Sequence, residues 1–379
     1  MKKRILALFL AMVMAMACLA GCGSTATETT TEAAAETTVA ETTTEETTTE
    51  ETTTEEETTA EPEFRTVIDS GGTEVQVPGH LETVFTFGSY GVINTLIETV
   101  GGGDLIKNNM SERFWTWEYQ YKFAPQMADG PLFDVNNEID IEAVVAAEPD
   151  LCITMQEATA QSLREAGLTT LLIGYGNGRD YTSITDALDI LAAAFGTEDL
   201  AEQYKEWIEG MVEKIEDVTS SLDESEKKKV LYGNVTSYIN PHILIEWVIP
   251  AAGGISCTAD IHPEGSCEYT AEDVLSWNPD AIFMITDQSE ELKADEQINS
   301  INAIANDQMF VYPTVGHFIA GSSEAPLAVL FTTWLLYPDL YSEEELADDM
   351  YDFYDTFFNY QMSDEELHDI IHVNDKTEE

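Results

Sequence analysis

The sequence predicts an α/β protein built as two equivalent lobes, each a parallel sheet with crossover helices, joined by a long rigid helix. Three observations carry this. Short apolar strands followed by glycine loops and amphipathic helices recur at residues 83–101, at "LTTLLIGYGNGRDYTSI" and at "KVLYGNVTSY", the pattern of parallel strands linked by helices. "IEAVVAAEPDLCIT" (141–154) and "AEDVLSWNPDAIFM" (271–284) share Glu, Val, Pro-Asp and an apolar run at a constant offset of 130 residues. Such internal self-similarity argues for two matched units. Finally, residues 183–222 place Ile184, Leu188, Leu191 and Phe195, then Leu200, Tyr204, Trp207, Met211, Ile215 and Val218, at helical spacing. The second of these stretches is long enough to bridge two lobes, and a rigid helix there restricts closure to a small rocking motion.

The chain opens on Lys2, Lys3 and Arg4, continues through an apolar run to Leu19, and reaches Ala20 and Gly21 before Cys22. That is the layout of a secretory signal over residues 1–21. Leu19-Ala20-Gly21-Cys22 resembles the lipobox of bacterial lipoproteins, which implies that Cys22 is lipidated and becomes the new N-terminus at the extracytoplasmic face of the cell membrane. Residues 22–63 are then a Thr/Glu/Ala tether, with no basic or aromatic residue to offset the entropy of ordering.

Residues 64–182 form the expected first lobe, 183–222 the linking helical segment, and 223–379 the second lobe with an acidic tail. From residue 64 on, 13 basic side chains face 59 acidic ones. No arginine follows Arg179. A surface this acidic excludes nucleic acid as a partner, because phosphate neutralisation needs clustered Lys and Arg. There is no Gly-x-Ser-x-Gly elbow, no P-loop and no HExxH helix, so an enzyme is not expected.

In chain order, residues 65–78 read as a hairpin with a Ser-Gly-Gly turn and residues 83–88 as a strand. Residues 89–101 read as a helix capped by Ser89 and stopped by Gly101. Each repeat segment reads as a helix stopped by proline and followed by a buried strand. Cys152, inside "LCITM", is a small buried hydrophobe. The spacing of Cys257 and Cys267 permits a disulfide in an oxidising compartment. The tail, "MYDFYDTFFNYQMSDEELHDIIHV", alternates aromatic and acidic residues at helical spacing and is expected to pack a helix on the second lobe.

The lipobox, the two lobes and long helix, the paired Glu...Pro-Asp segments, "AAGGISCTADI" (251–261) and "SSEAPLAVLFTTWLLYPDLY" (322–341) together resemble the substrate-binding proteins of ABC importers for iron-siderophore, haem and cobalamin. The resemblance implies Rossmann-like lobes with the ligand in the cleft between them, a monomer, and a membrane permease as partner. It also implies that Glu142 and Glu272 dock against permease arginines. The aromatic positions that mark cobalamin binders correspond here to Asn136 and Ser266.

Ligand contacts are then expected at strand ends and helix starts. These are Ser89 and Tyr90; Trp115, Trp117 and Tyr119; Tyr175, Asn177 and Arg179; then Asn234, Tyr238, His242, His262 and His317. Aromatic side chains suit a planar or apolar chelate, and the resemblance implies an iron complex of siderophore or haem type as cargo, with no resident cofactor. Alternatives within the fold are a corrinoid, a molybdate or tungstate oxyanion held by Ser89, Tyr90, Asn234 and His317, and a divalent metal held by His80, His242, His262 and His317.

Overall fold

The alternation of Val67, Val75 and Val77 inward, with polar residues between them, makes an antiparallel hairpin of β1 (Phe64–Ile68) and β2 (Glu74–Pro78). Its turn is held by Asp69, whose carboxylate accepts the backbone N–H groups of Gly71 and Thr73 at 2.9 Å each. The same carboxylate accepts the Leu172 N–H at 3.1 Å and pairs with Arg164. Although burial opposes it, these donors hold Asp69 below its ordinary carboxylate range.

The computed structural model describes residues 62–375 apart from 116, 136–137, 175–177, 263 and 319–320. The signal, Cys22, the tether up to residue 61, Tyr175 and Asn177 lie outside the described residues, as does Asn136. No described helix is long and apolar enough to cross a membrane.

After the hairpin come β3 (Val84–Phe87), α1 (Tyr90–Thr99), α2 (Glu118–Phe123) and the short pair β4 (Asp134–Val135) and β5 (Glu138–Ile139). They are followed by α3 (Ile141–Ala146), β6 (Leu151–Thr154), α4 (Glu157–Glu165) and β7 (Thr170–Leu172). Strands β3, β6 and β7 form a parallel sheet in that order. Two helices, α5 (Thr182–Phe195) and α6 (Glu198–Thr219), lead out of it. At 22 residues, α6 is about 33 Å long.

The second half runs β8 (Lys229–Gly233), β9 (Ile239–Asn240), α7 (Ile245–Ala251), β10 (Ile255–Ser256), β11 (Cys267–Glu268), α8 (Ala271–Trp277) and β12 (Ala281–Met284). Then follow α9 (Ser289–Ala294), α10 (Asn302–Ala305), β13 (Met309–Val311), α11 (Ala325–Leu336), α12 (Glu343–Phe358) and α13 (Asp364–Ile371). Its parallel sheet has the order β10-β8-β12-β13.

The two-residue period of a strand explains how these sheets are joined. Val84, Leu151 and Ile153 of the first sheet and Val230, Tyr232, Ala281 and Phe283 of the second face one shared core. Their alternate neighbours face separate outer clusters: Phe85, Phe87 and Cys152 on one side, Leu231, Ile282 and Met284 on the other. Burial pushes the Cys152 thiol up to about 12, so it behaves as a hydrophobe.

The internal repeat is structural as well as textual. Asp140 and Thr270 cap α3 and α8 by accepting the backbone N–H groups of Ala143 and Asp273. Glu148 and Asn278 take left-handed backbone at φ 50° and 46° just before each proline. Asp150 then accepts the N–H groups of Glu82 and Thr83, and Asp280 that of Lys229. In each half, the Pro-Asp residue fixes the start of the neighbouring parallel strand.

Three expectations are corrected. Ser89 precedes α1 but makes no side-chain cap bond. Cys257 and Cys267 are free thiols. Cys257 bonds through its N–H to Val230 beside β8, whereas Cys267 is paired with Asn240 in the separate β9–β11 ladder, so different ladders fix the two backbones. The tail does not pack on the second half alone. Phe123 of α2 contacts Tyr354, Phe358 and Tyr360 at centroid distances of 5.7, 4.8 and 5.1 Å, and Lys122 pairs with Glu366 at 2.8 Å. Because α2 lies in the first half, α12 and α13 strap both halves.

One buried group in α1 makes a measurable prediction. Glu98 has an oxygen without a hydrogen-bond partner, and burial, then the nearby Asp104 charge, push its carboxyl up to about 8. A raised folded-state value means stability is full below the ordinary 4.5 and falls as pH rises towards 8. Glu98→Gln should remove up to about 1.4 kcal/mol per pH unit of that slope, read by urea unfolding at several pH values. Identical slopes in the two proteins would refute the assignment.

Candidate ligand cleft

The C-terminal ends of parallel strands are where an open α/β sheet leaves its loops free. Gly88 and Ser89 follow β3, Gln156 follows β6 and His317 lies in the loop after β13, while Pro241 and His242 come from the end of β9 in the separate antiparallel ladder. With Tyr90, Gly91, Val92, Arg113, Phe114 and Trp117 they line one cavity of about 450 Å³. A cavity of about 360 Å³ beside Lys228, Asp280 and Gln308 sits instead where the second sheet's strands begin.

The cleft has an aromatic wall. Phe114 meets Trp117 edge-on at 4.8 Å, and Trp117 stacks on His317 at 5.1 Å and 21°. Only glycine fits beneath this stack: a Cβ on Gly91 would lie 2.3 Å from the Trp117 ring and 3.1 Å from His317 Cβ. The Tyr90 hydroxyl donates to Asp134 at 3.2 Å, so its polar tip is committed inside the first half. The Arg113 guanidinium lies 4.5 Å over the Phe114 ring.

Burial, reinforced by His262, lowers His242 to about 4. His317 is lowered to about 4 by burial, reinforced by His242. Both imidazoles are therefore neutral at neutral pH, each offering one donor and one acceptor nitrogen. Among the described lining residues, Arg113 is the one fixed cation.

The structure thus brings together Ser89, Tyr90, Trp117, His242 and His317. It places other expected contacts elsewhere. Trp115 is 49 % exposed and donates its indole N–H to the Met110 carbonyl at 3.0 Å. The Asn234 side chain accepts from Thr236, Ser237 and Gln288, closing the turn after β8. Tyr238, at φ 55°, packs edge-on against Tyr269 at 6.0 Å. His262 is buried between Glu246, 3.0 Å from Nδ1, and the Gly265 carbonyl, 2.6 Å from Nε2. With an acceptor at each nitrogen, its ring is an interior pin rather than a cleft contact. Arg179 donates to the His262 carbonyl at 2.8 Å, tying the two halves. Tyr119 lies beneath Lys122, whose Nζ is 4.1 Å from the ring centroid, outside the cleft lining.

Sequence reasoning passed over Phe114, Gln156 and Pro241. Gln156 had a signal, because it stands two residues after the end of β6, as Ser89 does after β3.

A family model described as periplasmic binding protein matches residues 111–315. Among solved structures, a periplasmic solute binding protein of Veillonella parvula aligns with TM-score 0.67 and 21% identity, over 82% of this chain and 98% of that one. The molybdate-bound periplasmic binding protein MolA of Haemophilus influenzae aligns with TM-score 0.66 and 15% identity, over 79% and 99%. CeuE of Helicobacter pylori with Ni(II) bound aligns with TM-score 0.64 and 17% identity, over 80% and 98%. No curated protein matches the chain.

Proposed function

The chain belongs to the periplasmic binding protein family, and from that premise we propose that it is a lipoprotein, anchored through Cys22, that captures an iron complex of siderophore or haem type for an ABC permease. The family places it outside the cytoplasm, among transport proteins that bind substrates rather than transform them.

The observation that supports an organic chelate is the cleft itself. It combines about 450 Å³ with the Phe114–Trp117–His317 wall and two neutral imidazoles. Large, mostly apolar cavities with a few oriented polar tips suit a drug-sized ligand. A tetrahedral oxyanion would use only part of that volume and favours converging charged or N–H donors. Among the described residues no group of three or more His, Cys, Asp or Glu could hold a bare metal ion.

The test is a thermal-shift panel on the full chain, with haemin, ferric siderophores, a corrinoid, molybdate, tungstate and divalent metals. A chelate present at a hundred times its Kd stabilises by about 2.7 kcal/mol, so Tm should rise by on the order of 5 °C. Trp117→Leu should remove most of that rise. A response to molybdate or a bare metal alone would sink the chelate reading.

A further inference from the structure

We propose that Glu324 is the positioning residue of the cleft, its carboxylate clamping the Gly316–His317 backbone and so holding the His317 ring on Trp117. This rests on the reading of the cleft as the ligand site.

The geometry starts from "SSE" at the entry to α11. Ser322, Ser323 and Glu324 are fully buried, yet each is polar. Buried polar side chains persist where their hydrogen bonds are made, and these three make theirs to different parts of the molecule. The Ser322 hydroxyl donates to the His317 carbonyl. The Ser323 hydroxyl donates to the Thr95 carbonyl of α1 at 3.0 Å, and the Ser323 carbonyl accepts the Tyr204 hydroxyl of α6 at 2.8 Å.

Glu324 completes the set. One carboxylate oxygen accepts the Gly316 N–H at 3.0 Å and the Tyr354 hydroxyl of α12 at 2.8 Å; the other accepts the His317 N–H. Gln120 of α2 donates to the Gly316 carbonyl at 3.0 Å. A Cβ on Gly316 would lie 2.6 Å from Thr95 and 2.7 Å from Glu324, so the turn is pressed onto both.

Two consecutive backbone N–H groups thus end on one carboxylate, directly before the side chain that forms the cleft wall. The charge is compatible with this role. Burial pushes Glu324 up to about 7 against the lowering effect of its three donors, so it is mainly ionised at pH 8. The titratable groups facing it are Tyr354 from α12, Tyr204 from α6 and the neutral His317. Burial keeps both tyrosines protonated, hence able to donate. Removing the carboxylate leaves two backbone donors without their partner and frees the turn to rotate the imidazole off the indole.

The experiment is histidine-selective NMR on the full chain at pH 8 without ligand. His317→Asn identifies the His317 resonance, and Trp117→Leu gives its position when unstacked. Glu324→Ala should bring His317 to that unstacked position, while the buried His262 resonance stays in place and reports an intact fold. Glu324→Gln keeps one acceptor oxygen and should show a partial shift, as should Tyr354→Phe. If Glu324→Ala does not fold, these two variants decide. A His317 resonance at its wild-type position in the folded variants overturns the assignment. With haemin as probe, Glu324→Ala should weaken binding about tenfold. Unchanged haemin affinity in Trp117→Leu would instead refute the cleft reading, leaving the NMR result on Glu324 standing.

Discussion

The double variant Glu142→Ala/Glu272→Ala is expected to abolish permease-dependent uptake while leaving ligand affinity within about twofold of wild type. Both glutamates are exposed first-turn residues, on α3 and α8. Their helices share the same cap position, a left-handed residue directly before the proline and the same Pro-Asp anchor. Two copies of one rigid presentation suit a partner that offers one arginine to each, since carboxylate–guanidinium pairs set register as well as energy. Neither glutamate lines the cleft, so affinity and transport should separate. Uptake in reconstituted vesicles and ligand titration of the free protein measure the two. A parallel loss of affinity and uptake would remove the docking assignment.

The second large effect is on stability. Phe353→Ala should cost about 3–5 kcal/mol in urea unfolding. Its ring is fully buried, 5.0 Å from Trp207 of α6 and 5.2 to 5.4 Å from Tyr354, Phe357 and Phe358. Truncation empties the seam between α6 and the tail, and the loss includes the cavity left behind. A cost near 1 kcal/mol would mean that the tail is peripheral. Phe353→Leu, which refills most of the volume, should recover more than half of the loss.

Much of this architecture was legible because it depends on periodicity. The hairpin, the alternating strands and the 130-residue repeat follow from which residues are apolar and how they are spaced. The cleft was legible in part, since strand ends locate Ser89, Tyr90, His242 and His317. The same rule admitted Asn234 and Tyr238, because a turn at a strand end can consume a polar or aromatic tip just as a ligand can. His262 was misplaced for a related reason: only three dimensions show Glu246 and the Gly265 carbonyl on either side of its ring. The tail's aromatic stripe announced a buried helix, but its contact with Phe123 depends on folding across more than two hundred residues of sequence.

The strap of α12 and α13 over both halves bears on the kinetics of capture. A binding protein that must first visit a rare closed state has its apparent affinity reduced by the fraction of time spent there. Here the shared core, the Lys122–Glu366 pair and the Gln120 bond to Gly316 tie the halves through contacts of the chain itself. Association should therefore be a single bimolecular step, linear in ligand concentration, with small-angle scattering profiles that coincide before and after loading. Differences in affinity between ligands would then reside in how slowly each one leaves.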